Sequence, residues 1–394
     1  MPQIAENAFN PLVQAIAPPP IPLAQGWLQA YGGGYGPAID LSQAVPGYPP
    51  HAEILTQLGR AAASLDSAGY GAIEGEDALR AVYAEHLSTL YGAPIEKAAI
   101  HITSGCNQAF FTVMMALAGP GNQVLMSNPC YFNHEASLSM LGIETVFFDC
   151  HASNRFAPRL ADIEAALTDR VRAIALVSPN NPTGAVYSAD LLHAIFDVCA
   201  ARNIWLVLDE TYRDFLGGSA GAPHGLFGLA NWRNTLVQLY SFSKSFCIPG
   251  HRVGAIAAGP DVVTQVSKIM DNLQICAPRA PQQALARCLP HLADWRAANA
   301  REIAERASEF SAALAEAPGW EIAAMGAYFA YVKHPFPDRD AVQVAQALAR
   351  EFGVLGLPGS FFGAGQEGFL RLAFANVDIP TIRQIPARLN ACRV

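Results

Sequence analysis

The sequence SFSKSF at residues 241–246 follows an apolar run, residues 235–240, that predicts a buried β-strand. Lys244, at the end of this strand, would lie at the rim of a sheet, where a lowered pKa makes a lysine amine nucleophilic. A solvated surface lysine is the ordinary alternative. Only four of the 25 Lys and Arg residues are lysines, and this one is flanked by serines and phenylalanines, so the segment indicates a reactive amine.

The composition limits the class of protein. The 394 residues are 52% hydrophobic and 15% charged, which predicts a large buried core in two or three domains. The net charge of −8 and the lack of any Lys/Arg cluster argue against nucleic acid as a partner. The longest apolar run, residues 109–119, is about half a membrane span, and the N-terminus lacks a signal pattern, so we expect no membrane contact.

Cysteine and metal-ligand patterns narrow the class further. The eight cysteines are scattered without a C-x-x-C pair, which is typical of reduced thiols in a cytoplasmic protein. The sequence has no H-E-x-x-H motif, no Walker A motif and no zinc-ligand spacing. We therefore expect a cytoplasmic protein without a metal site.

Apolar runs and helical patterns alternate through the middle of the chain. Strands are predicted at residues 98–103, 124–128, 145–148, 173–178, 204–208, 235–240 and 253–258. With helices between them, these runs predict an α/β fold in which a mostly parallel sheet carries helices on both faces. Ligands of such sheets bind at the carboxyl ends of the strands.

The two ends of the chain differ from this middle part. Residues 1–50 are rich in Pro and Gly and predict an N-terminal arm. Ala-rich helices follow from about residue 282, and then strands and a further helix, so residues 282–394 predict a smaller α+β domain. Residues 51–281 would form the large domain.

Polar groups follow several of the predicted strands. The S-G-C-N junction at residues 104–107 joins a strand to a helix, and the free N–H groups of such a junction bind anions. Asn181 lies in the rigid P-N-N-P-T-G loop at residues 179–184, either as a turn residue or as a group held in a required direction. Asp209 ends a buried strand, where a carboxylate either caps a helix or needs a partner.

Two further side chains are notable. Tyr131 closely follows the strand at residues 124–128, where a tyrosine is ordinarily a core residue. Arg371 interrupts the apolar run 369–375 and needs an anion, which a structural salt bridge would ordinarily supply.

The pattern S-F-S-K-S-F-x-x-P-G-x-R-x-G at residues 241–254 closely resembles the lysine motif of the class I/II aminotransferases. These aspartate aminotransferase-like enzymes have fold type I and use pyridoxal 5′-phosphate (PLP). The N-P-T-G string at residues 181–184 is fairly specific for the same family, and matching positions follow in family order from Tyr70 to Arg371. The resemblance implies a fold type I homodimer with shared active sites.

The resemblance also implies a role for each matching residue. Lys244 would hold PLP as a Schiff base and then move a proton from the substrate Cα. Asp209 would keep the ring nitrogen protonated, and Tyr212, the third catalytic residue, would contact the ring oxygen. Tyr70 would reach the phosphate held by the second subunit. The implied cofactor-binding set is Tyr70, Gly105, Cys106, Asn107, Tyr131, Asn181, Asp209, Tyr212, Ser241, Ser243, Lys244 and Arg252.

The implied substrate-binding residues are Arg371, Asn181 and Ala44. Arg371 would grip the substrate carboxylate with a bidentate fork, a geometry that lysine cannot supply. The family usually has glycine where Ala44 stands, which changes how closely the backbone approaches the ligand. The sequence shows no second arginine placed for a side-chain carboxylate, and the arm carries aromatic residues, so we expect a neutral or apolar substrate.

The implied reaction transfers an amino group from an amino acid to a 2-keto acid in two ping-pong half-reactions. A fold type I lyase or decarboxylase is the alternative, because the same Lys, Asp and Arg serve any reaction that labilises a bond at Cα. A non-catalytic PLP-binding regulator is the third hypothesis. Such proteins usually carry a DNA-binding domain, and the sequence shows no basic helix-turn-helix.

Overall fold

A computed structural model describes residues 9–216 and 221–393 of the chain. Its helices are α1 Pro11–Gln14, α2 Pro20–Leu28, α3 Ala52–Ala62, α4 Asp77–Tyr91, α5 Cys106–Leu117, α6 Phe132–Met140, α7 Leu160–Ala166, α8 Ala189–Arg202, α9 Phe242–Ser245, α10 Pro260–Leu273, α11 Arg279–Cys288, α12 Ala293–Leu314, α13 Ala341–Phe352, α14 Ile379–Ile382 and α15 Ile385–Ala391. Its strands are β1 Ile39–Asp40, β2 Ile100–Thr103, β3 Gln123–Asn128, β4 Glu144–Asp149, β5 Val171–Val177, β6 Trp205–Asp209, β7 Leu236–Ser241, β8 Gly254–Ala258, β9 Glu321–Gly326, β10 Phe329–Lys333, β11 Val354–Leu355, β12 Leu357–Pro358 and β13 Phe369–Leu372.

A seven-stranded sheet forms the centre of the fold, in the order β2-β8-β7-β6-β5-β3-β4. Strand β8 runs antiparallel to β2 and β7, and the other neighbouring strands are parallel. The predicted α/β fold with a mostly parallel sheet is therefore confirmed. Because β2, β3, β5, β6 and β7 point the same way, their carboxyl ends meet at one edge of the sheet.

Both faces of this sheet are buried. On β6, Leu206 and Leu208 join one apolar core, and Val207 between them joins the core on the opposite face. Helices α3, α4, α8 and α11 pack into the first core, and α5 and α10 pack into the second. Cover on both faces is typical of parallel sheets and explains why central strands such as β6 are almost entirely apolar.

The C-terminal region forms a second sheet and a third core. Strands β12, β13, β10 and β9 pair antiparallel in that order, and α12, α13 and α15 pack with them. Ala24 and Trp27 of α2 are buried in the same core, and β1 pairs with β11. Part of the predicted arm therefore packs with the C-terminal sheet. The division into residues 1–50, 51–281 and 282–394 stays a prediction.

Two element boundaries differ from the sequence-based expectation. The predicted strand at residues 369–375 ends at Leu372, because Phe374–Asn376 turns into a short 3₁₀ helix. The Ala-rich region from residue 282 to 315 forms α11 and α12, separated by a segment that contains Pro290, which cannot donate a helical hydrogen bond. Helix α11 packs in the first core, so the chain crosses to the C-terminal region only with α12.

Candidate active site

A cavity of about 260 Å³ opens at the carboxyl edge of the seven-stranded sheet. Backbone geometry brings together side chains that are far apart in sequence, because the ends of β5, β6 and β7 meet at this edge. All of the sequence-predicted site residues except Tyr70 and Gly105 line the cavity, namely Ala44, Cys106, Asn107, Tyr131, Asn181, Asp209, Tyr212, Ser241, Ser243, Lys244, Arg252 and Arg371.

Lys244 belongs to α9, a single helical turn that begins where β7 ends. Its Nζ donates a hydrogen bond to the carbonyl oxygen of Ala44. Burial, followed by the positive charges of Arg371 and Arg252, lowers the pKa of Lys244 to about 8. An appreciable fraction of this amine is therefore neutral near physiological pH and able to act as a nucleophile.

Asp209, the last residue of β6, presents a buried carboxylate to the cavity. Its Oδ1 accepts a hydrogen bond from the Thr211 amide at 2.9 Å, and its Oδ2 lies 3.4 Å from both His134 Nε2 and Cys106 Sγ. Burial alone would raise the pKa of Asp209, but the contacts with His134 and Thr211 outweigh it and hold that pKa below its usual value. The group is therefore an anion.

His134 is a site residue that sequence reasoning missed. It lies one helical turn after Tyr131, and its ring stacks on Phe110 with centroids 3.7 Å apart and planes 7° apart. This stacking aims Nε2 at Asp209. The available signal was the three-residue spacing from Tyr131, but a histidine on a helix is usually an ordinary packing residue. Only the tertiary structure brings α6 beside the end of β6.

A set of hydrogen-bond donors surrounds the start of α5. Gly105 has φ +88°, and a Cβ at this position would overlap the Arg252 guanidinium. Arg252 donates to the carbonyl oxygens of Pro249 and Ser104 at 2.9 and 3.4 Å. Ser243 Oγ is buried and has no hydrogen-bond partner among the described residues. A guanidinium, a hydroxyl and the amides of a helix N-terminus together suit an anion.

Two tyrosines border the cavity. The Tyr131 hydroxyl accepts a hydrogen bond from Asn133 Nδ2 at 2.8 Å. Tyr212 packs against Tyr328 and Phe329, which belong to the C-terminal region. Burial raises the pKa of both Tyr131 and Tyr212, so both phenols stay protonated and can donate hydrogen bonds to a ligand.

Arg371 comes from β13 and is 2% exposed. Its Nη1 donates to Asn181 Oδ1 at 3.0 Å, and its Nη2 donates to the Ser42 carbonyl oxygen. The guanidinium lies over the rings of Phe329 and Phe362, at 4.9 and 5.1 Å from the ring centres. Within the described chain Nε has no partner, and burial lowers the pKa of Arg371 to about 10. This cation is therefore positioned to bind a carboxylate.

The N-terminal segment supplies one wall of the cavity. The carbonyl groups of Ser42 and Ala44 accept the hydrogen bonds already described, and Ile21 and Val45 add apolar surface. The sequence resemblance includes residues 40–46, in which Ala44 was indicated as a site residue and Ser42 was not, and Ile21 gave no signal. Ser42 acts through its backbone, and Ile21 reaches the cavity because α2 packs on the C-terminal core.

Tyr70 lies outside this cavity and is 80% exposed. The next residue, Gly71, donates a hydrogen bond from its amide to Cys276 Sγ at 3.3 Å, which brings Tyr70 and the partly exposed Ile275 into one surface region. Tyr70 therefore does not contribute to the cavity of its own chain. Its predicted role in a second subunit stays a prediction.

Two further properties concern the part of the chain that the structure describes. In residues 9–216 and 221–393, no helix combines the length and apolar character needed to cross a bilayer. The same residues contain no group of three or more His, Cys, Asp or Glu side chains arranged to hold a metal ion.

Comparisons with known proteins agree on one family. A sequence model described as aminotransferase class I and II matches residues 37–389. An aromatic aminotransferase of Arabidopsis thaliana is 27% identical over 360 residues, which cover 89% of each protein. An arginine–pyruvate transaminase of Pseudomonas aeruginosa is 29% identical over 333 residues, 82% of each protein. The structure of a double mutant of Thermus thermophilus aspartate aminotransferase matches with a TM-score of 0.89 at 22% identity, over 98% of this chain and 99% of that one. The named substrates differ, whereas amino transfer is common to all three.

Proposed function

This chain belongs to the class I and II aminotransferase family, and we propose that Lys244 binds the PLP of that family in the cavity at the sheet edge. The fold is fold type I, as the sequence resemblance implied. The chain is a PLP-dependent aminotransferase and moves an amino group between amino acids and 2-keto acids. The observation that carries the site proposal is a half-buried amine, with a pKa of about 8, that lines one cavity with Asp209 and Arg371.

Lys244 has two proposed roles. When bound, PLP supplies an aldehyde that condenses with amines and a protonated ring that accepts the electrons of the bond broken at the substrate Cα. Lys244 would provide the amine that holds the aldehyde. In the transfer step, its neutral Nζ would take the proton from the substrate Cα, a role typically worth about 10²–10⁴ in rate. The lowered pKa supports both roles, because the neutral amine is the reactive form in each.

The donors around α5 fit the phosphate of this cofactor. Ser243 Oγ is a buried hydroxyl without a partner in the described chain, and a phosphate oxygen would satisfy it. The missing side chain at Gly105 leaves the space that Arg252 occupies beside the helix N-terminus. We propose that Ser243, Arg252 and the amides of Cys106 and Asn107 hold the phosphate. The Ser241 side chain supports this set by accepting a hydrogen bond from the Ser243 amide at 3.3 Å.

Asp209 and its neighbours fit the ring. A carboxylate that stays ionised while buried would hold a proton on the pyridine nitrogen, and such an ion pair at ~3 Å is worth roughly 5 kcal/mol before desolvation at an effective dielectric near 20. His134 fixes the direction of this carboxylate, and Tyr131 would stack on the ring. Tyr212 and Asn181 would donate hydrogen bonds to the ring oxygen. Asn181 would do so through Nδ2, because its Oδ1 already accepts a hydrogen bond from Arg371.

We propose that Arg371 binds the substrate α-carboxylate and that the substrate side chain is neutral or apolar. The Nε of Arg371 has no hydrogen-bond partner among the described residues, so it is free to donate to a carboxylate. Ile21 and Val45 provide apolar surface on the wall formed by the N-terminal segment. Of the described residues lining the cavity, the cationic ones are Lys244, Arg252 and Arg371, and each already has a proposed role. A side-chain carboxylate would therefore have no dedicated partner in this chain.

We also propose a homodimer with shared active sites and a cytoplasmic location. The exposed Tyr70 and Ile275 mark an apolar surface region that a second subunit would cover. All eight cysteines are free thiols, which is typical of a reducing compartment. Mixing Lys244→Ala subunits with Tyr70→Ala subunits tests the dimer, because one site of each hybrid dimer regains both residues. Activity restored by mixing supports shared sites, and unrestored activity contradicts them.

The experiment for the proposed function combines spectroscopy with a half-reaction screen. The purified protein should gain a visible absorbance band with PLP, and borohydride reduction followed by peptide mapping should place the cofactor on Lys244. Lys268, an exposed lysine, provides the matched control, and Lys268→Ala should bind PLP normally. Candidate amino donors should discharge the band stoichiometrically without a keto acid. Continuous release of ammonia or CO₂ under those conditions would favour the lyase alternative, and a protein that stays colourless would contradict the proposal.

A further inference from the structure

Asp214 is a largely buried carboxylate that lies outside the cavity, directly behind the lysine turn. Its Oδ2 accepts hydrogen bonds from the Tyr240 hydroxyl and from Ser245 Oγ, each at 2.6 Å. Its Oδ1 accepts from Arg296 Nη1 at 3.0 Å, and the side chain is 15% exposed. One carboxylate therefore holds groups from three separate elements.

These three elements are the strand before Lys244, the helical turn that contains it, and helix α12. Tyr240 belongs to β7, Ser245 follows Lys244 directly in α9, and Arg296 lies in the first turn of α12. Asp214 itself is two residues after Tyr212, in the short helix that follows β6. The carboxylate therefore connects the lysine turn to the segment that carries Tyr212 and to the helix that leads into the C-terminal region.

The lysine turn needs external support. Helix α9 has four residues, and a single helical turn is too short to be stable by its own hydrogen bonds. At its start, Ser241 caps the turn by accepting a hydrogen bond from the Ser243 amide. At its end, the side chain of Ser245 is held by Asp214 and contacts the Tyr240 hydroxyl at 2.6 Å. Lys244 thus lies between two fixed points, of which the second is the carboxylate.

The charges around Asp214 keep this anchor ionised. Burial by itself would raise the pKa of Asp214, but the guanidinium groups of Arg296 and then Arg213 outweigh it, and the pKa lies below its usual value. Arg213 lies 3.9 Å above the ring centre of Tyr240 and donates to the Tyr83 hydroxyl at 3.2 Å. An ionised carboxylate accepts stronger hydrogen bonds than a neutral one, so Ser245 is firmly held.

We propose that Asp214 is a positioning residue for amino transfer: through Ser245 it fixes the orientation of Lys244 relative to Asp209. This inference rests on the proposed role of Lys244. Asp214 touches neither the cavity nor the reacting atoms, so its effect on the reaction passes through the lysine turn. A displacement of about 1 Å in a reacting group can lower a rate by roughly 10²-fold, so a contact that holds Lys244 in place affects the rate.

Three variants test the proposal, namely Asp214→Asn, Ser245→Ala and the double variant. For each, borohydride trapping first establishes that PLP is attached to Lys244. The visible circular dichroism of the bound cofactor and the KM and maximal rate of the half-reaction are then measured. Asp214→Asn should lower the maximal rate about 10–100-fold with KM changed less than about threefold, and should alter the dichroism. Ser245→Ala should likewise lower the maximal rate and alter the dichroism.

The double variant separates positioning from general stability. If Asp214 acts through Ser245, the double variant should be no slower than Asp214→Asn, because the two changes remove one interaction. The matched control is Glu309→Gln, which removes the ion pair between Glu309 of α12 and Arg383. This variant should leave the dichroism and rates unchanged. The proposal would be overturned if the double variant lost as much rate as the two single variants combined. It would also be overturned if the variants had lower thermal stability but unaltered dichroism and rates. Ser245→Ala alone decides the matter if Asp214→Asn fails to fold. Trapping of PLP on another residue in the wild type would instead contradict the proposed function.

Discussion

Two buried arginines of this protein differ in how fully their hydrogen-bond donors are used. One lines the cavity, and the other lies in the C-terminal helix. Arg388 in α15 and Arg371 in β13 are both 2% exposed. Arg388 donates to the carbonyl oxygens of Phe352, Gly353 and Pro37 at 2.9–3.3 Å. Arg371 donates to one carbonyl and one side-chain amide, and its Nε has no partner within the described residues.

The difference teaches that burial alone does not identify a ligand-binding cation. Arg388 joins the N-terminal segment to the end of α13, so its hydrogen bonds stabilise the fold. Arg371 lines the cavity with a donor left over, and an open donor on a buried cation costs free energy unless a ligand satisfies it. The cavity region should therefore govern activity, and the region around Arg388 should govern stability.

The largest effect is expected from Lys244→Ala, on the cavity side of this comparison. In the proposed mechanism the amine serves both cofactor attachment and proton transfer, so without it the half-reaction should slow by at least about 10⁴-fold. The visible band of the bound cofactor should disappear. Stability of the PLP-free protein, measured by thermal unfolding, should stay the same or rise, since a half-buried charged group is lost. A large fall in that stability would contradict the division between the two regions.

Arg371→Leu should be next in size. Losing charge-assisted hydrogen bonds to the substrate carboxylate costs about 3 kcal/mol, or roughly 150-fold in kcat/KM for the amino donor. Arg371→Lys should recover only part of this loss, because an ammonium group lacks the bidentate fork. The free energy of unfolding, from urea titration, should fall less in Arg371→Leu than in Arg388→Met, because removing a buried cation with an open donor offsets part of the loss of its hydrogen bonds to Ser42 and Asn181. Normal kcat/KM in Arg371→Leu would show that another group binds the carboxylate.

Arg388→Met should reverse the pattern. The substitution leaves carbonyl groups of Phe352, Gly353 and Pro37 without their donor, which should cost about 2 kcal/mol of unfolding free energy. The kcat/KM per folded molecule should match the wild type. Urea unfolding and steady-state kinetics on the same preparation measure both quantities. Reduced kcat/KM without a loss of stability would place Arg388 on the functional side.

The smallest effect concerns pH. With a pKa of about 8 for Lys244, the neutral amine fraction rises about tenfold per pH unit below that value and levels off above it. The rate of PLP uptake by the PLP-free protein should follow this curve. Because the Arg371 cation helps to lower the lysine pKa, Arg371→Gln should move the midpoint to higher pH, and Arg388→Gln should leave it in place. An unmoved midpoint in Arg371→Gln would show that the two groups are uncoupled.

Much of the fold and part of the candidate site could be predicted from local sequence. The apolar runs predicted the strands of the large sheet, because their residues are buried on both faces and differ clearly from the segments between them. The motif around Lys244 and the N-P-T-G loop indicated the site residues by resemblance. His134 and Ile21 were not predicted, because a helix position and a single apolar side chain carry no local signal. Ser42 lies in a stretch that resembles the family, but its role through the backbone carbonyl was not predicted.

By itself the sequence determined the family, the mostly parallel sheet and the side chains that end its strands. These follow from periodicity and short motifs, which depend on residues close together in the chain. Only the tertiary structure decided that Arg371 keeps a buried donor without a partner among the described residues, whereas Arg388 bonds three backbone carbonyls, and that Asp214 holds the lysine turn from behind. Hydrogen-bond satisfaction depends on atoms that are up to hundreds of residues apart, and no local pattern encodes it.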